Sequence, residues 1–305
     1  MENVIVTGAT GFLGTKLCNE LSKRYKVYAL VRDVEKAKQS LSNINIIVLK
    51  CEMKAYECFD LEVKAKYFFH FAWDATSGED RSNYEKQLFN VKATCDAVVL
   101  AKKLSCEKFI YASSINEFET YEYMKSNEIS PGGGYIYGTA KLSAHFMAEV
   151  VAAKEQIGFI PVIITNIYGP GEKSKRLINT SIRGLLNNEH VSFTKGDQMY
   201  DFIYIDDAIN AIVSVAEKGV GFRSYYLGSN QPKPLKYFIK DLHEAIGGLG
   251  TIGLGDLQFK GEDISYEQFN INQIERDTGY INKVSFIEGI KNTSECIKMN
   301  KDWLQ

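Results

Sequence analysis

The chain has 305 residues, 45% hydrophobic and 24% charged, which is enough for one large α/β domain with a smaller lobe and excludes a disordered or fibrous protein. Its formal net charge of -2 offers no general attraction for nucleic acid or an anionic membrane, but leaves room for a local basic patch that holds a phosphorylated ligand. Cysteines at 18, 51, 58, 95, 106 and 296 form no CxxC pair and the four histidines show no HExxH spacing, so reduced thiols and no metal site are expected.

The first apolar run, Val4-Ile5-Val6, begins within three residues of the start, so no secretory leader is expected. Apolar stretches such as 67–73 and 159–164 fall short of the ~18 residues that suggest a membrane span. A cytoplasmic protein is expected. Short β-branched or aromatic runs at 3–7, 26–31, 44–49, 66–71, 107–112 and 159–165 alternate with amphipathic segments, the rhythm of a doubly wound parallel sheet, the Rossmann arrangement. The helix predicted over 81–105 carries Leu88, Val91, Cys95 and Val98 at helical spacing, as a helix covering one sheet face should. Beyond residue 170 helical patterns near 174–188, 206–218, 234–247 and 286–300 are separated by short strands and Gly-rich turns. This pattern divides the chain into a dinucleotide-binding domain at 1–169 and a mainly substrate-binding α/β lobe at 170–305, some of whose elements return to the main sheet.

Between the first strand and first helix lies Thr7-Gly8-Ala9-Thr10-Gly11-Phe12-Leu13-Gly14. Glycines there permit a tight turn and a close approach of backbone to a pyrophosphate at the helix N-terminus. Gly8, Thr10, Gly11, Phe12, Leu13 and Gly14 are therefore candidate cofactor contacts. The second strand ends at Arg32-Asp33, where a dinucleotide fold reads the adenosine ribose; an arginine suits the 2′-phosphate of NADP and an acid the hydroxyl of NAD. Arg32 comes first and favours NADP(H), with NAD(H) as the alternative. Asp33 equally fits an N-cap for the next helix. Glu52, after the third strand, is either an adenine contact or a solvent-facing turn residue.

Tyr137 and Lys141 stand four apart at the start of a helix continuing through Leu142, Phe146 and Val150. They share a face on which an ammonium can tune a phenol for proton transfer, while a nicotinamide exchanges hydride. Ser113-Ser114 closes the strand through Phe109 to Ala112; a hydroxyl at a strand's carboxyl end can bond a reacting oxygen or turn the following loop.

Together these residues resemble the extended short-chain dehydrogenase/reductase family, especially its sugar-nucleotide epimerase, dehydratase and ketoreductase branch. The likeness includes Phe69 to Trp73, Asn90-Val91, Asn166 to Pro170 and Asp201 to Asp207. It implies Ser114, Tyr137 and Lys141 as the catalytic set, Tyr137 and Lys141 also against the nicotinamide ribose, and Ala72 beside the cofactor phosphates. Ser114, Asn166 and Tyr200 are implied substrate contacts. Asn90 has an expected structural role, and Glu117 is expected to lie too far along to assist a dehydration. Where many members carry arginines this chain has Tyr200 and Ile163; Lys173, Lys175 or Arg176 are candidates to replace them on a diphosphate. The resemblance implies a nucleotide-sugar substrate and a homodimer through helices near 81–105 and 136–156. The reading that follows is reduction of a nucleotide-linked 4-keto-6-deoxyhexose at C4. The alternatives are a 4-epimerase with tightly bound NAD, and a non-catalytic NADP-sensing binding protein.

Overall fold

The computed structural model describes residues 1–126, 132 and 134–300. Its first half runs β1 (Asn3–Thr7), α1 (Phe12–Leu21), β2 (Lys26–Val31), α2 (Val34–Ser40), β3 (Ile46–Lys50), β4 (Tyr67–His70), α3 (Tyr84–Lys103), β5 (Lys108–Ser114), α4 (Asn116–Lys125), α5 (Gly134–Glu155) and β6 (Gly158–Ile164). There follow β7 (Asn166–Tyr168), α6 (Leu177–Leu186), β8 (His190–Phe193), β9 (Met199–Tyr200), β10 (Phe202–Tyr204), α7 (Ile205–Lys218) and β11 (Tyr225–Leu227). The chain continues through β12 (Lys233–Pro234), α8 (Leu235–Ala245), β13 (Thr251–Leu254), α9 (Gln273–Thr278) and α10 (Phe286–Met299).

Seven strands form one sheet in the order β3-β2-β1-β4-β5-β6-β11, parallel from β3 through β6. This is the expected doubly wound fold. The strands are nearly continuous apolar runs because helices cover both faces. In β4, β5 and β6, Phe68, Phe109 and Phe159 occupy matching register positions and stack at centroid distances of 5.2 and 5.8 Å. The strand order reverses between β1 and β4, and a ligand crevice in such a sheet opens at the carboxyl ends beside that point.

The chain forms two compact units: 1–164 with 209–226 and 273–280, and 165–208 with 227–272 and the chain from Ile281 onward. In the first unit α3 packs along α5. Val91 and Val98 are buried as expected of a sheet-covering helix, but Leu88 is exposed and Cys95 half-buried, because α3 divides its inner face between sheet and α5. Phe146 and Val150 of α5 are likewise exposed. In the second unit β7 pairs with β10, β9 with β12 and β8 with β13 around a cluster of Tyr168, Phe202, Phe238 and Phe286. No helix among the described residues is long and apolar enough to cross a membrane.

Candidate active site

β1 leads into Gly8, whose φ of +69° suits glycine. A Cβ there would lie 2.5 Å from the Phe71 carbonyl carbon and 2.6 Å from the Ala72 nitrogen, so the loops after β1 and β4 touch only because that side chain is missing. Gly11 opens α1 without a side-chain cap, leaving the first N–H groups of the helix to an incoming anion. Thr10, Phe12 and Leu13 are partly exposed along the turn and Gly14 is buried beneath it. This cradle fits a dinucleotide pyrophosphate: the backbone is bare at the point of closest approach and donors are available beside it.

Behind the turn, the Thr7 hydroxyl meets His70 Nδ1 at 2.9 Å and accepts from the Ala72 N–H at 3.2 Å. The Thr94 hydroxyl donates to the Asn90 carbonyl at 2.8 Å, so its oxygen accepts from His70 Nε2 at 3.3 Å. These partners fix His70 as the neutral Nε2–H tautomer, with Nδ1 accepting from Thr7. Burial pushes its pKa down to about 3, with the Lys141 charge acting in the same direction. Asn90 holds the loop after β4, accepting from the Asp74 N–H and donating to the Asp74 carbonyl, both at 2.9 Å. At the end of β2, Asp33 caps α2 by accepting from the Lys36 N–H at 3.0 Å, while Arg32 is exposed. Glu52 pairs with Lys54 at 2.9 Å.

Across the sheet, Lys141 is 4% exposed. Its Nζ donates to the Ala112 carbonyl at 2.9 Å and sits 3.6 Å from the Trp73 ring centroid and 6.0 Å from that of Tyr137. Burial pushes the ammonium down to about 7 against the opposing pull of Glu117. Tyr137, also buried, meets the edge of Trp73 at 6.0 Å, and the Arg81 guanidinium covers its ring at 4.4 Å. Arg81 Nη2 donates to Asn116 Oδ1 at 2.9 Å, which also accepts the Ser114 hydroxyl at 3.2 Å. Ser114 Oγ in turn accepts the Asn116 N–H at 3.2 Å. Ser114, Tyr137, Lys141 and Ala72 are thus gathered with the glycine turn at the carboxyl ends of β1, β4 and β5.

Glu117 lies in the first turn of α4, beside Ser114. It is turned inward and buried, with Oε1 accepting the Ser113 hydroxyl at 2.8 Å and the Ser114 N–H at 3.2 Å. Sequence reasoning missed His145, Asn116 and the stacking of Trp73 on Lys141. One available signal was His145 four residues beyond Lys141, on the same face of α5.

Asn166 and Tyr200 belong to the second unit. Asn166 Nδ2 donates to the Asp201 carbonyl at 3.1 Å, and Tyr200 stacks on Phe202 at 5.7 Å. Asp201 is fully buried and accepts from the Ser229 hydroxyl and the Asn230 N–H, which makes it an anchor for that loop. Lys173, Lys175 and Arg176 are exposed ahead of α6. The buried Nε of Arg183 and Oδ1 of Asn179 have no hydrogen-bond partner among the described residues.

The sequence matches the model of the NAD dependent epimerase/dehydratase family over residues 4–228. A CDP-abequose synthase of Salmonella muenchen is 24% identical over 315 residues, spanning 95% of this chain and 96% of that one. Among solved structures, UDP-glucuronic acid 4-epimerase from Bacillus cereus, in complex with UDP-glucuronic acid and NAD, superposes with a TM-score of 0.79 at 21% identity, covering 98% of this chain and 99% of the other. DesIV, a dTDP-glucose 4,6-dehydratase from Streptomyces venezuelae with NAD and TYD bound, gives 0.79 at 19% identity over 99% and 100%. At these identities the two solved structures establish likeness of fold.

Proposed function

Because the chain belongs to the NAD dependent epimerase/dehydratase family, we propose that it is a nicotinamide-dependent oxidoreductase of nucleotide sugars, whose favoured reaction is reduction of a nucleotide-linked 4-keto-6-deoxyhexose at C4. The observation that carries this reading is the gathering of Ser114, Tyr137 and Lys141 beside the glycine turn. The chemistry supplied by the cofactor when bound is hydride transfer to C4. Tyr137 gives its phenolic proton to the oxygen that develops negative charge. Lys141, as ammonium, favours the phenolate left behind and holds the nicotinamide ribose. The Ser114 hydroxyl leaves Asn116 Oδ1 to donate to the substrate oxygen, and Asn116 stays held by Arg81. Gly8, Thr10, Gly11, Phe12, Leu13, Gly14 and Ala72 line the dinucleotide. Asn166 and Tyr200 contact the substrate.

NADP(H) is favoured because Arg32 is exposed at the end of β2 while the Asp33 carboxylate is engaged in capping α2. For the diphosphate, the second unit supplies Lys173, Lys175 and Arg176 and the unpaired Nε of Arg183. The exposed Leu88 and Phe89 of α3 and Phe146, Met147 and Val150 of α5 support a homodimer closed through these helices. The test combines NADPH oxidation assays, using 4-keto-6-deoxyglucose linked to CDP, dTDP, UDP or GDP, with mass spectrometry of any cofactor released on denaturation. NADPH-dependent turnover with an empty purified site supports the reductase. Near-stoichiometric NAD(H) with no net turnover sinks it in favour of the 4-epimerase.

A further inference from the structure

We propose that Glu117 and His145 form a buried positioning pair that builds the β5–α4 corner holding Ser114 and sets the Glu117 carboxylate beside Lys141. The inference rests on the cofactor reading above only for the role of Lys141. Three groups converge on the Glu117 carboxyl: the Ser113 hydroxyl at 2.8 Å, the Ser114 N–H at 3.2 Å and His145 Nδ1 at 2.7 Å. A carboxylate accepts all three, and His145 then carries its proton on Nδ1. Gly138, next to Tyr137, makes the reach from α4 to α5 short. A Cβ there would lie 2.5 Å from the Asn116 carbonyl oxygen and run into the Thr120 hydroxyl.

A buried carboxylate is an expensive way to tie a turn; a serine or asparagine side chain can bond turn amides at lower desolvation cost. Its charge finds a use beside Lys141. The groups facing that ammonium are Glu117 from α4, Tyr111 from β5 with its ring centroid at 5.2 Å, neutral His70 from β4, and Tyr137 on α5 itself, over whose ring Arg81 stands. Glu117 is the carboxylic acid of this set. Burial draws the Lys141 ammonium down to about 7 even with Glu117 in place, so loss of that charge lowers it further. His145 Nδ1, at 2.7 Å, holds the carboxyl in place from α5.

Two measurements on the full chain test the pair. In protein carrying 15N-histidine, with the signal assigned by H145Q, long-range 1H–15N NMR is expected to show His145 as the Nδ1–H tautomer; the Nε2–H tautomer overturns the pair. NADPH affinity, read by fluorescence from mildly acidic to alkaline pH, is expected to weaken in the wild type as pH rises through the Lys141 titration. Glu117→Gln should move that limb down by about one pH unit, a tenfold change in proton affinity. Glu117→Asp, which keeps the charge, should retain the limb even where the shorter side chain weakens binding. Wild-type binding with coincident limbs in wild type and E117Q overturns the pair alone. A wild type that binds no NADPH at any pH overturns the cofactor reading and, with it, the assignment of the pair to Lys141.

Discussion

The site contains two buried histidines, and their partners divide it into two regions built on different principles. His70, behind the glycine turn, is held by the hydroxyls of Thr7 and Thr94 and stays neutral. His145, behind Ser113 and Ser114, is held by a carboxylate. Around His70 the shape comes from what is left out: Gly8 lets two loops touch, and bare backbone faces the ligand. Around His145 the shape comes from charge, with Glu117 tying a strand end to two helices beside an ammonium. Changes in the first region should therefore act through shape, much alike across the working pH range, whereas changes in the second should act through protonation.

The largest expected effect lies in the charged region. Tyr137→Phe removes the acid that completes the reduction, and turnover should fall ~10²–10⁴-fold while NADPH still binds; unchanged turnover on the true substrate would remove Tyr137 from the mechanism. In the shape-built region Gly8→Ala forces a side chain into a left-handed conformation and against the Phe71 carbonyl. Overpacking of this kind costs ~1–3 kcal/mol, so NADPH affinity should weaken ~5-fold to ~150-fold. The factor should be the same at mildly acidic and alkaline pH, and a Gly8→Ala defect that grew with pH would erase the proposed division.

The two regions also differed in how far they could be read from sequence. The glycine turn and the strands entering it were legible because absent side chains and continuous apolar runs leave a plain pattern, and the spacing of Tyr137 and Lys141 survives in α5. The helix α4 leaves no mark in the sequence, because its buried residues are Glu117 and Thr120, both polar, so no hydrophobic period marks it. The inward turn of Glu117 is hidden in the sequence for the same reason. In α3 and α5 helical periodicity did not reveal which face meets the sheet. Leu88, Phe146 and Val150 satisfy the period yet point outward.

A smaller effect tests the neutral histidine. His70 has a pKa of about 3 in the folded chain against an ordinary 6.5, so between those values the unfolded chain binds a proton that the folded chain excludes. Stability therefore falls as pH drops through this window. His70→Gln should lose ~1–3 kcal/mol at neutral pH through weakened bonds to Thr7 and Thr94. It should also flatten the acid decline measured by urea unfolding. An equally steep decline in the variant would place the acid-sensitive group elsewhere.

The smallest effect decides how the shape-built region reads its ligand. Asp33 caps α2 through the Lys36 N–H, and replacing such a cap by alanine costs about 1 kcal/mol of stability. If capping is its whole task, Asp33→Ala lowers the urea midpoint and leaves the ratio of NADPH to NADH affinity where it was. A ribose ligand behaves differently: loss of its carboxylate weakens NADH selectively, because the 2′-hydroxyl loses its acceptor while a 2′-phosphate loses a repulsive neighbour. A selective loss of NADH binding would therefore make Asp33 the reader of the ribose and reverse the assignment of Arg32. An unchanged ratio leaves Arg32 as the residue that distinguishes the two dinucleotides.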